Sequence, residues 1–108
     1  MISDNLKGIL GLCRKAGKIS PGHDAAVTSI KGRKAKLVIT CCDASQRLKK
    51  EIKDECEFDN RNIPYIDASF SMAELALCLG TRAGVIAVDD PGFAKKLISI
   101  ITGGYVND

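Results

Sequence analysis

The chain has 108 residues, of which 45% are hydrophobic and 27% are charged, and its formal net charge at pH 7 is +3. A chain of this length is expected to form one domain, residues 1–108, that can bury a hydrophobic core without disulfides or metal ions. Because only 5% of the residues are aromatic and none is Trp, the composition disfavours proteins that bind nucleic acid by stacking bases on aromatic side chains.

The first part of the chain predicts two helices and a strand. Apolar residues at three- and four-residue spacing predict a helix over residues 4–16. A short extended segment, residues 18–20, leads through a Pro-Gly turn to a second helix over residues 23–31. The continuous apolar run over residues 37–42 predicts a central strand that is buried on both faces.

A third helix is predicted to begin at Asp43, which has a Gln three residues later, as in a capping box. Its apolar stripe is narrow and consists of Leu48, Ile52 and Cys56. The charged residues between these positions, Lys49 among them, are expected on the solvent-exposed face of the helix.

The second half of the chain continues the alternation of helices and strands. A strand, a helix and a strand are predicted over residues 63–68, 71–79 and 85–88. Ser71 and Glu74 have the spacing of a capping box. The last helix begins at Asp90, has Pro91 in its first position and ends at the Gly-Gly pair at 103–104. This alternating order predicts an α/β fold with helices on both faces of a parallel or mixed sheet.

Positive charge is concentrated near the start of the chain. Residues 1–36 contain eight Lys and Arg against two Asp, a net charge of +6, whereas residues 37–108 have a net charge of −3. Residues 14–36 also contain the only histidine. A basic surface on an acidic body is typical of proteins that bind phosphates, although a solvated lysine-rich surface would give the same count.

The cysteine pattern and the hydropathy argue against several kinds of site. The odd number of cysteines and the lack of a C-x-x-C motif predict reduced, mostly buried thiols in a cytoplasmic protein. The five thiols belong to Cys13, Cys41, Cys42, Cys56 and Cys78. Scattered cysteines and one histidine do not predict a metal site, and we expect no cofactor. No signal-peptide pattern or membrane-length apolar run is present, so no membrane association is expected.

One spacing is compatible with an enzyme. Cys41 and Arg47 form C-x5-R between a predicted strand and a predicted helix, as in cysteine-dependent phosphatases. The intervening loop has no glycine to admit a phosphate, and Asp43 would place a negative charge in its cradle. The phosphatase is therefore a minor alternative.

Four segments carry a resemblance to a known family. They are LCRKAGKISPG (12–22), GRKAKLVITCCDAS (32–45), NIPYIDASFSMAELALCLG (62–80) and VDDPGFAKKL (88–97). In this order and at this spacing the chain resembles small bacterial members of the ribosomal-protein family of the L7Ae and L30e kind. The resemblance implies a three-layer α/β/α sandwich with a mixed four-stranded sheet and an RNA-binding function.

The resemblance also implies an RNA-binding surface made of two parts. The first part is the start of the second helix, with the residues just before it, and consists of Lys18, Gly22, His23, Asp24, Ala25 and Thr28. The second part is the loop over residues 80–84, in which Arg82 is the basic residue. A helix start presents free backbone N–H groups, which an RNA backbone can approach closely beside a glycine.

The chain departs from the family's kink-turn binders at the helix start. Those proteins carry Asn-Glu there and a Lys one turn later, and the side chains read sheared G·A pairs. The matching residues here are Asp24, Ala25 and Thr28, which lack those donors and the positive charge. Lys31, one turn beyond Thr28, is expected to replace part of the charge. A general RNA-binding role therefore carries over better than kink-turn specificity does.

Together these features predict a non-catalytic RNA-binding protein of the cytoplasm that acts in translation as part of a ribonucleoprotein. The expected partner is ribosomal or other structured RNA, with kink-turn RNA as one candidate and a protein of the ribosome as another partner. Further positive charge around the surface is expected from Arg14, Lys15, Arg33, Lys34 and Lys36. The main alternative is a protein-interaction module on the same scaffold.

Overall fold

The computed structural model of the protein describes residues 2–103, which form five α-helices and four β-strands in the predicted alternating order. The helices are α1 (Asp4–Lys15), α2 (His23–Lys31), α3 (Gln46–Glu57), α4 (Met72–Leu79) and α5 (Pro91–Ile101). The strands are β1 (Ile19–Pro21), β2 (Leu37–Thr40), β3 (Tyr65–Asp67) and β4 (Val85–Val88). A short 3-10 turn, Phe58–Asn60, follows α3.

The four strands form one mixed sheet in the order β1-β4-β2-β3. β4 runs antiparallel to β1 and to β2, whereas β2 and β3 are parallel. In the middle of the sheet, Ile39 of β2 lies opposite Ile86 of β4 on one side and Ile66 of β3 on the other. The mixed four-stranded sheet is therefore confirmed.

Helices cover both faces of this sheet and complete a three-layer α/β/α sandwich. The layer of α1, α4 and α5 packs against Leu37 and Ile39 of β2. The layer of α2 and α3 packs against Val38, which lies between Leu37 and Ile39 in the strand and faces the other side of the sheet. Because side chains alternate between the two faces of a sheet, the central strands need apolar residues at nearly every position. Every residue of β2 and β4 is accordingly buried.

Two predicted helix caps are confirmed. The Ser71 side chain accepts a hydrogen bond from the Glu74 N–H, and the Glu74 carboxylate accepts one from the Ser71 N–H, which completes the capping box of α4. At α5, Asp90 Oδ2 accepts a hydrogen bond from the Phe93 N–H at 2.9 Å, with Pro91 in the first helical position. Both caps satisfy backbone donors that a helix start leaves open.

The predicted start of α3 is wrong. Ser45 caps this helix by accepting a hydrogen bond from the Leu48 N–H, whereas Asp43 accepts one from the Met72 N–H at the start of α4. The expected exposure of Lys49 is also wrong, because Lys49 is buried. Its Nζ donates to the Cys42 carbonyl at 2.9 Å and to Asp67 at 3.2 Å.

Several elements are shorter than predicted. β2 ends at Thr40 because the next two N–H groups bind the carbonyls of Gly84 and Phe70 outside the ladder. β3 is limited to Tyr65–Asp67, and α5 ends at Ile101. The predicted stop at residue 104 lies outside the described residues. Within residues 2–103, no helix combines the length and apolar character that crossing a membrane requires.

Candidate nucleic-acid interface

Gly22 precedes α2 and has the backbone angles φ 92° and ψ 165°. Only glycine adopts this conformation readily, since a Cβ atom would clash with the backbone of its own residue. The space beside Gly22 is open, because an added Cβ would meet no neighbouring atom within 4 Å. No side chain caps the helix. The start of α2 is thus a bare backbone surface that an anionic chain can approach.

The loop over residues 80–84 lies directly beside this helix start. The Gly22 N–H donates to the Val85 carbonyl at 2.8 Å, which continues the β1–β4 pairing by one residue. Val85 follows the loop, and Arg82 within the loop is exposed. The two parts of the predicted RNA-binding surface are therefore adjacent. We call the surface formed by Gly22, His23 and residues 80–84 the α2 edge.

Packing holds the loop of the α2 edge in place. Ala83 is buried, and its carbonyl accepts a hydrogen bond from the Cys41 thiol at 3.5 Å. The Gly84 carbonyl accepts one from the Cys41 N–H at 2.9 Å. A Cβ atom at Gly84 would lie 3.2 Å from Leu48 and 3.3 Å from Met72. The loop is thus fixed against Cys41, just after β2, and against α3 and α4, while Arg82 remains exposed.

His23 connects the start of α2 to α3. Its Nδ1 lies 3.0 Å from Asp24 Oδ1, and its Nε2 lies 2.7 Å from Glu51 Oε2. These hydrogen bonds, to Asp24 first and to Glu51 second, raise the pKa of His23 above its ordinary value, since only the imidazolium can donate from both ring nitrogens. Sequence reasoning does not identify Glu51, because it reaches the α2 edge through the packing of α3 beside α2.

A groove of about 670 Å³ lies between α2 and β1, and we call it the α2 groove. Asp24, Ala25 and Thr28 line it together, as the family resemblance implies, and Lys34 and Asp89 line it as well. With Ser20 and Ser29 also in its lining, the groove presents two carboxylates, one lysine and three hydroxyls. Its walls therefore offer both hydrogen-bond donors and acceptors, and they are not uniformly basic.

Asp89 fixes the wall of the α2 groove that faces the sheet. Its carboxylate accepts a hydrogen bond from Ser20 of β1 at 2.7 Å and another from the buried Ser29 of α2. These two contacts tie α2 and β1 to the end of β4. Sequence reasoning identifies Asp90 as the start of the last helix, which holds, but it misses this role of Asp89.

The two predicted lysines of the surface lie away from the α2 edge. Lys18 is exposed before β1, where its carbonyl accepts a hydrogen bond from the Asp89 N–H. Lys31 lies in the last turn of α2, beside Asp54 and Glu55 of α3. The eight predicted residues thus extend from the start of β1 along α2 and into the loop over residues 80–84, and they do not form one compact cluster.

The basic residues that were expected to surround the surface also divide into two groups. Arg14 and Lys15 lie in the last turn of α1, close in sequence to Gly17, which lines the α2 groove with Lys34. Arg33 and Lys36 line a separate hollow. That hollow lies beyond the C-terminal end of α2, about 14 Å along the helix from Gly22 at 1.5 Å per residue.

The environment of Cys41 opposes its role as a phosphatase nucleophile. Cys41 is fully buried, and burial raises the pKa of its thiol to about 12, whereas nucleophilic cysteines need a lowered pKa. Arg47 is exposed on α3. Cys13 and Cys56 are also buried free thiols, as the sequence predicts, and Cys42 is exposed. Among the described residues, no group of His, Cys, Asp and Glu is placed to hold a metal ion.

Comparisons with known proteins agree with this architecture. The family model described as ribosomal protein L7Ae/L30e/S12e/Gadd45 matches residues 4–98. The "RNA-binding protein YlxQ" of Bacillus subtilis (strain 168) is 38% identical over 94 residues, which are 86% of this chain and 91% of that protein. The protein of the same description from Enterococcus faecium is 35% identical over 95 residues, with coverages of 88% and 89%.

A solved structure supports the same fold. It is described as a protein with unknown function from Bacillus halodurans C, and it superposes with a TM-score of 0.83 at 26% sequence identity. The superposition covers 93% of this chain and 99% of the other. The family predicted from the sequence and the α/β sandwich are both confirmed.

Proposed function

This chain belongs to the ribosomal protein L7Ae/L30e/S12e/Gadd45 family, and from that membership we propose that it is a non-catalytic RNA-binding protein. Two relatives that span most of its length are described as RNA-binding proteins. We propose that residues 1–108 act as one domain in the cytoplasm. Its partner is structured RNA, such as ribosomal or kink-turn RNA, within a ribonucleoprotein of the translation apparatus.

The observation that carries this proposal is the open space beside the backbone of Gly22, at a helix start that no side chain caps. Gly22 adopts a conformation that favours glycine, and the space beside it is open. Its N–H is hydrogen-bonded to the carbonyl of Val85, the first residue after the loop over residues 80–84. A bent RNA backbone can come close to Gly22 because no side chain stands in the way. Arg82 projects from the neighbouring loop and supplies a phosphate contact.

The side chains around this backbone support recognition of RNA shape rather than of base edges. Asp24 and Ala25 do not provide the donors that read sheared G·A pairs, and Glu51 adds a further negative charge through His23. Affinity then comes mainly from phosphate contacts and falls steeply with salt. With few aromatic residues, the protein reads backbone geometry rather than stacked bases.

The residues proposed to contact RNA are those predicted from the sequence. Their positions in the structure suggest a different role for each group. Gly22 and His23 lie with Arg82 at the α2 edge, where they meet the RNA backbone. Asp24, Ala25 and Thr28 line the adjacent α2 groove. Lys18 and Lys31 lie further out, where they add positive charge along the path of the RNA.

The experiment that tests this function is a salt titration of binding to a kink-turn duplex and to a plain duplex of equal length. We expect salt-sensitive binding to both, with tighter binding to the kink-turn, because the backbone geometry at Gly22 favours a bent RNA. Equal affinities would remove the preference for kink-turns and leave a general RNA surface. The absence of binding to either RNA at low salt would contradict the proposal and favour a protein-interaction module.

A further inference from the structure

A second basic site lies at the opposite end of α2 from Gly22. Arg33, Lys36 and Arg61 line a hollow of about 280 Å³ together with Asn62, and we call it the basic hollow. Its remaining wall is formed by Ala35, Ile63 and Pro64. The lining thus contains three cations and one side-chain amide but no carboxylate. Such a set of donors suits a compact anion with several oxygen atoms.

Each of the two arginines of the basic hollow contacts a carboxylate outside its lining. Arg33 Nη2 lies 3.2 Å from Asp59 Oδ2 and donates to the Asp59 carbonyl. Arg61 Nη1 donates to Glu55 Oε1 at 3.0 Å and to the Glu55 carbonyl at 2.9 Å. The Arg61 pair is largely buried, so its guanidinium group is fixed before any ligand arrives and a bound anion would cost little additional ordering of that side chain. The Arg33 pair is exposed.

Arg61 and Lys36 retain hydrogen-bonding capacity. The Arg61 side chain is only 10% exposed, and it stacks on the Phe58 ring with 5.3 Å between the guanidinium carbon and the ring centre. Its Nε is buried without a hydrogen-bond partner among the described residues. Lys36 is exposed, and its backbone N–H is fixed to the Val88 carbonyl at 2.7 Å. The lysine side chain therefore extends from a fixed backbone position beside the hollow and is open to solvent.

The backbone around the basic hollow is unusual as well. Arg33 has φ 59° and Asn62 has φ 49°, so two of the residues that line it adopt the left-handed conformation. This conformation is uncommon for residues other than glycine, and for an arginine it costs free energy that the surrounding contacts must offset. The contact from Arg33 to Asp59, which itself has φ 56°, joins the two loops that form the hollow.

We propose that the basic hollow binds a phosphate group. The group is carried either by the backbone of a bound RNA or by a free mononucleotide, and both offer the same oxygen atoms to Arg33, Lys36 and Arg61. The site is separate from the α2 edge, since the nine residues of α2 lie between them. Phosphate binding here goes beyond the proposed RNA function and stands or falls independently of it.

The first test contains no RNA. Inorganic phosphate is titrated into isotope-labelled protein, with sodium chloride at equal ionic strength as the reference, while the amide signals of Lys36 and Asn62 are followed by NMR. We expect saturable shifts at these residues and an affinity about tenfold lower in Lys36→Gln, the change that corresponds to about 1.4 kcal/mol.

The matched control is Lys7→Gln, which removes the same charge from an exposed lysine of α1, in the helical layer on the other side of the sheet. It should bind phosphate as the wild type does. The absence of saturable shifts, or equal losses of affinity in both variants, would overturn the proposal. Because RNA binding is measured separately, that result would leave the proposed function intact.

The second test identifies the source of the phosphate. If an RNA backbone fills the hollow, Lys36→Gln should reduce the slope of log K against log salt for RNA by about 0.7 to 0.9, the contribution of one phosphate contact. Lys7→Gln, on α1 in the helical layer on the other side of the sheet, should leave that slope unchanged. Saturable phosphate binding with an unchanged salt slope for RNA would assign the hollow to a free nucleotide. In that case 5′-AMP, titrated in place of inorganic phosphate, should shift the same amide signals.

Discussion

The Gly22 N–H donates to the Val85 carbonyl at 2.8 Å. This bond joins the residue just before α2 to the strand that begins after the loop over residues 80–84, although the two are more than sixty residues apart in sequence. It places the bare backbone of Gly22 beside the exposed Arg82 in one rigid arrangement. The proposed RNA interface rests on this juxtaposition, and the predictions below test its parts.

Gly22→Ala should lower the free energy of unfolding by about 1–3 kcal/mol, because alanine must adopt a conformation that is essentially restricted to glycine. The same variant should bind RNA more weakly, since a methyl group would occupy the open space beside the backbone. Urea denaturation and RNA titration provide the two measurements. Gly8→Ala is the control, because Gly8 lies within α1 with open space around it and alanine there should stabilise the helix by about 0.5–1 kcal/mol. Equal stability of both variants would contradict this account of Gly22.

Arg82→Glu should weaken RNA binding about tenfold at low salt, because it replaces a phosphate contact at the α2 edge with repulsion. Lys7→Glu makes the same change of charge on α1, in the layer on the other side of the sheet, and should change the affinity less than twofold. Both residues are exposed, so both variants should unfold at the same urea concentration as the wild type. Similar losses of affinity in the two variants would mean that overall charge, and not the α2 edge, determines binding.

Asp89→Ala should lower the free energy of unfolding by about 1–3 kcal/mol, because it leaves the buried hydroxyl of Ser29 without its acceptor. The double variant Ser29→Ala/Asp89→Ala removes both partners and should be more stable than the sum of the two single changes predicts. Urea denaturation of the four proteins measures this coupling. Additive effects would show that Ser29 and Asp89 do not act as a pair.

The pKa of His23 should be above its ordinary value, and Glu51→Gln should lower it by removing one of the two carboxylates that accept from the ring. The raised pKa means that the contacts of the imidazolium stabilise the fold fully below about pH 6.5, the ordinary pKa of histidine. This contribution is lost as the pH rises through the higher folded-state pKa. NMR titration of the ring protons measures the pKa values directly. Identical values in the wild type and in Glu51→Gln would rule out the bridge in solution.

The succession of helices and strands could be predicted because it depends on local patterns. The apolar run of β2 and the capping box at Ser71 each act within a few residues. Errors appear where distant segments compete for the same groups. Asp43 has the sequence features of a cap for α3, but it accepts from the Met72 N–H, 29 residues away. Ser45 then caps α3 instead.

The burial of Lys49 could not be predicted from local sequence patterns either. A helical projection of α3 places it among charged neighbours, and nothing in the local sequence marks it as buried. Its ammonium group is enclosed because the Cys42 carbonyl and the Asp67 carboxylate, from two adjacent strand ends, converge on it. These acceptors compensate for the loss of water around the charge.

The proposed interface was predictable only in part for a related reason. The glycine before α2 and the loop over residues 80–84 could be named from the family resemblance. Glu51 and Asp89 could not, because they reach the helix start and the α2 groove through tertiary packing. Both carry negative charge, so the surface is less basic than the local count of lysines and arginines predicts.

The most direct test of the central claim is to map the RNA contact by NMR with the kink-turn duplex and isotope-labelled protein. The account predicts that the largest amide shifts fall on Gly22, His23 and residues 80–84, with smaller shifts along the α2 groove. The amide signals of α1, α4 and α5 should remain nearly unchanged. Shifts concentrated on that opposite layer, with unchanged signals at Gly22 and Arg82, would contradict the claim that RNA binds at the α2 edge.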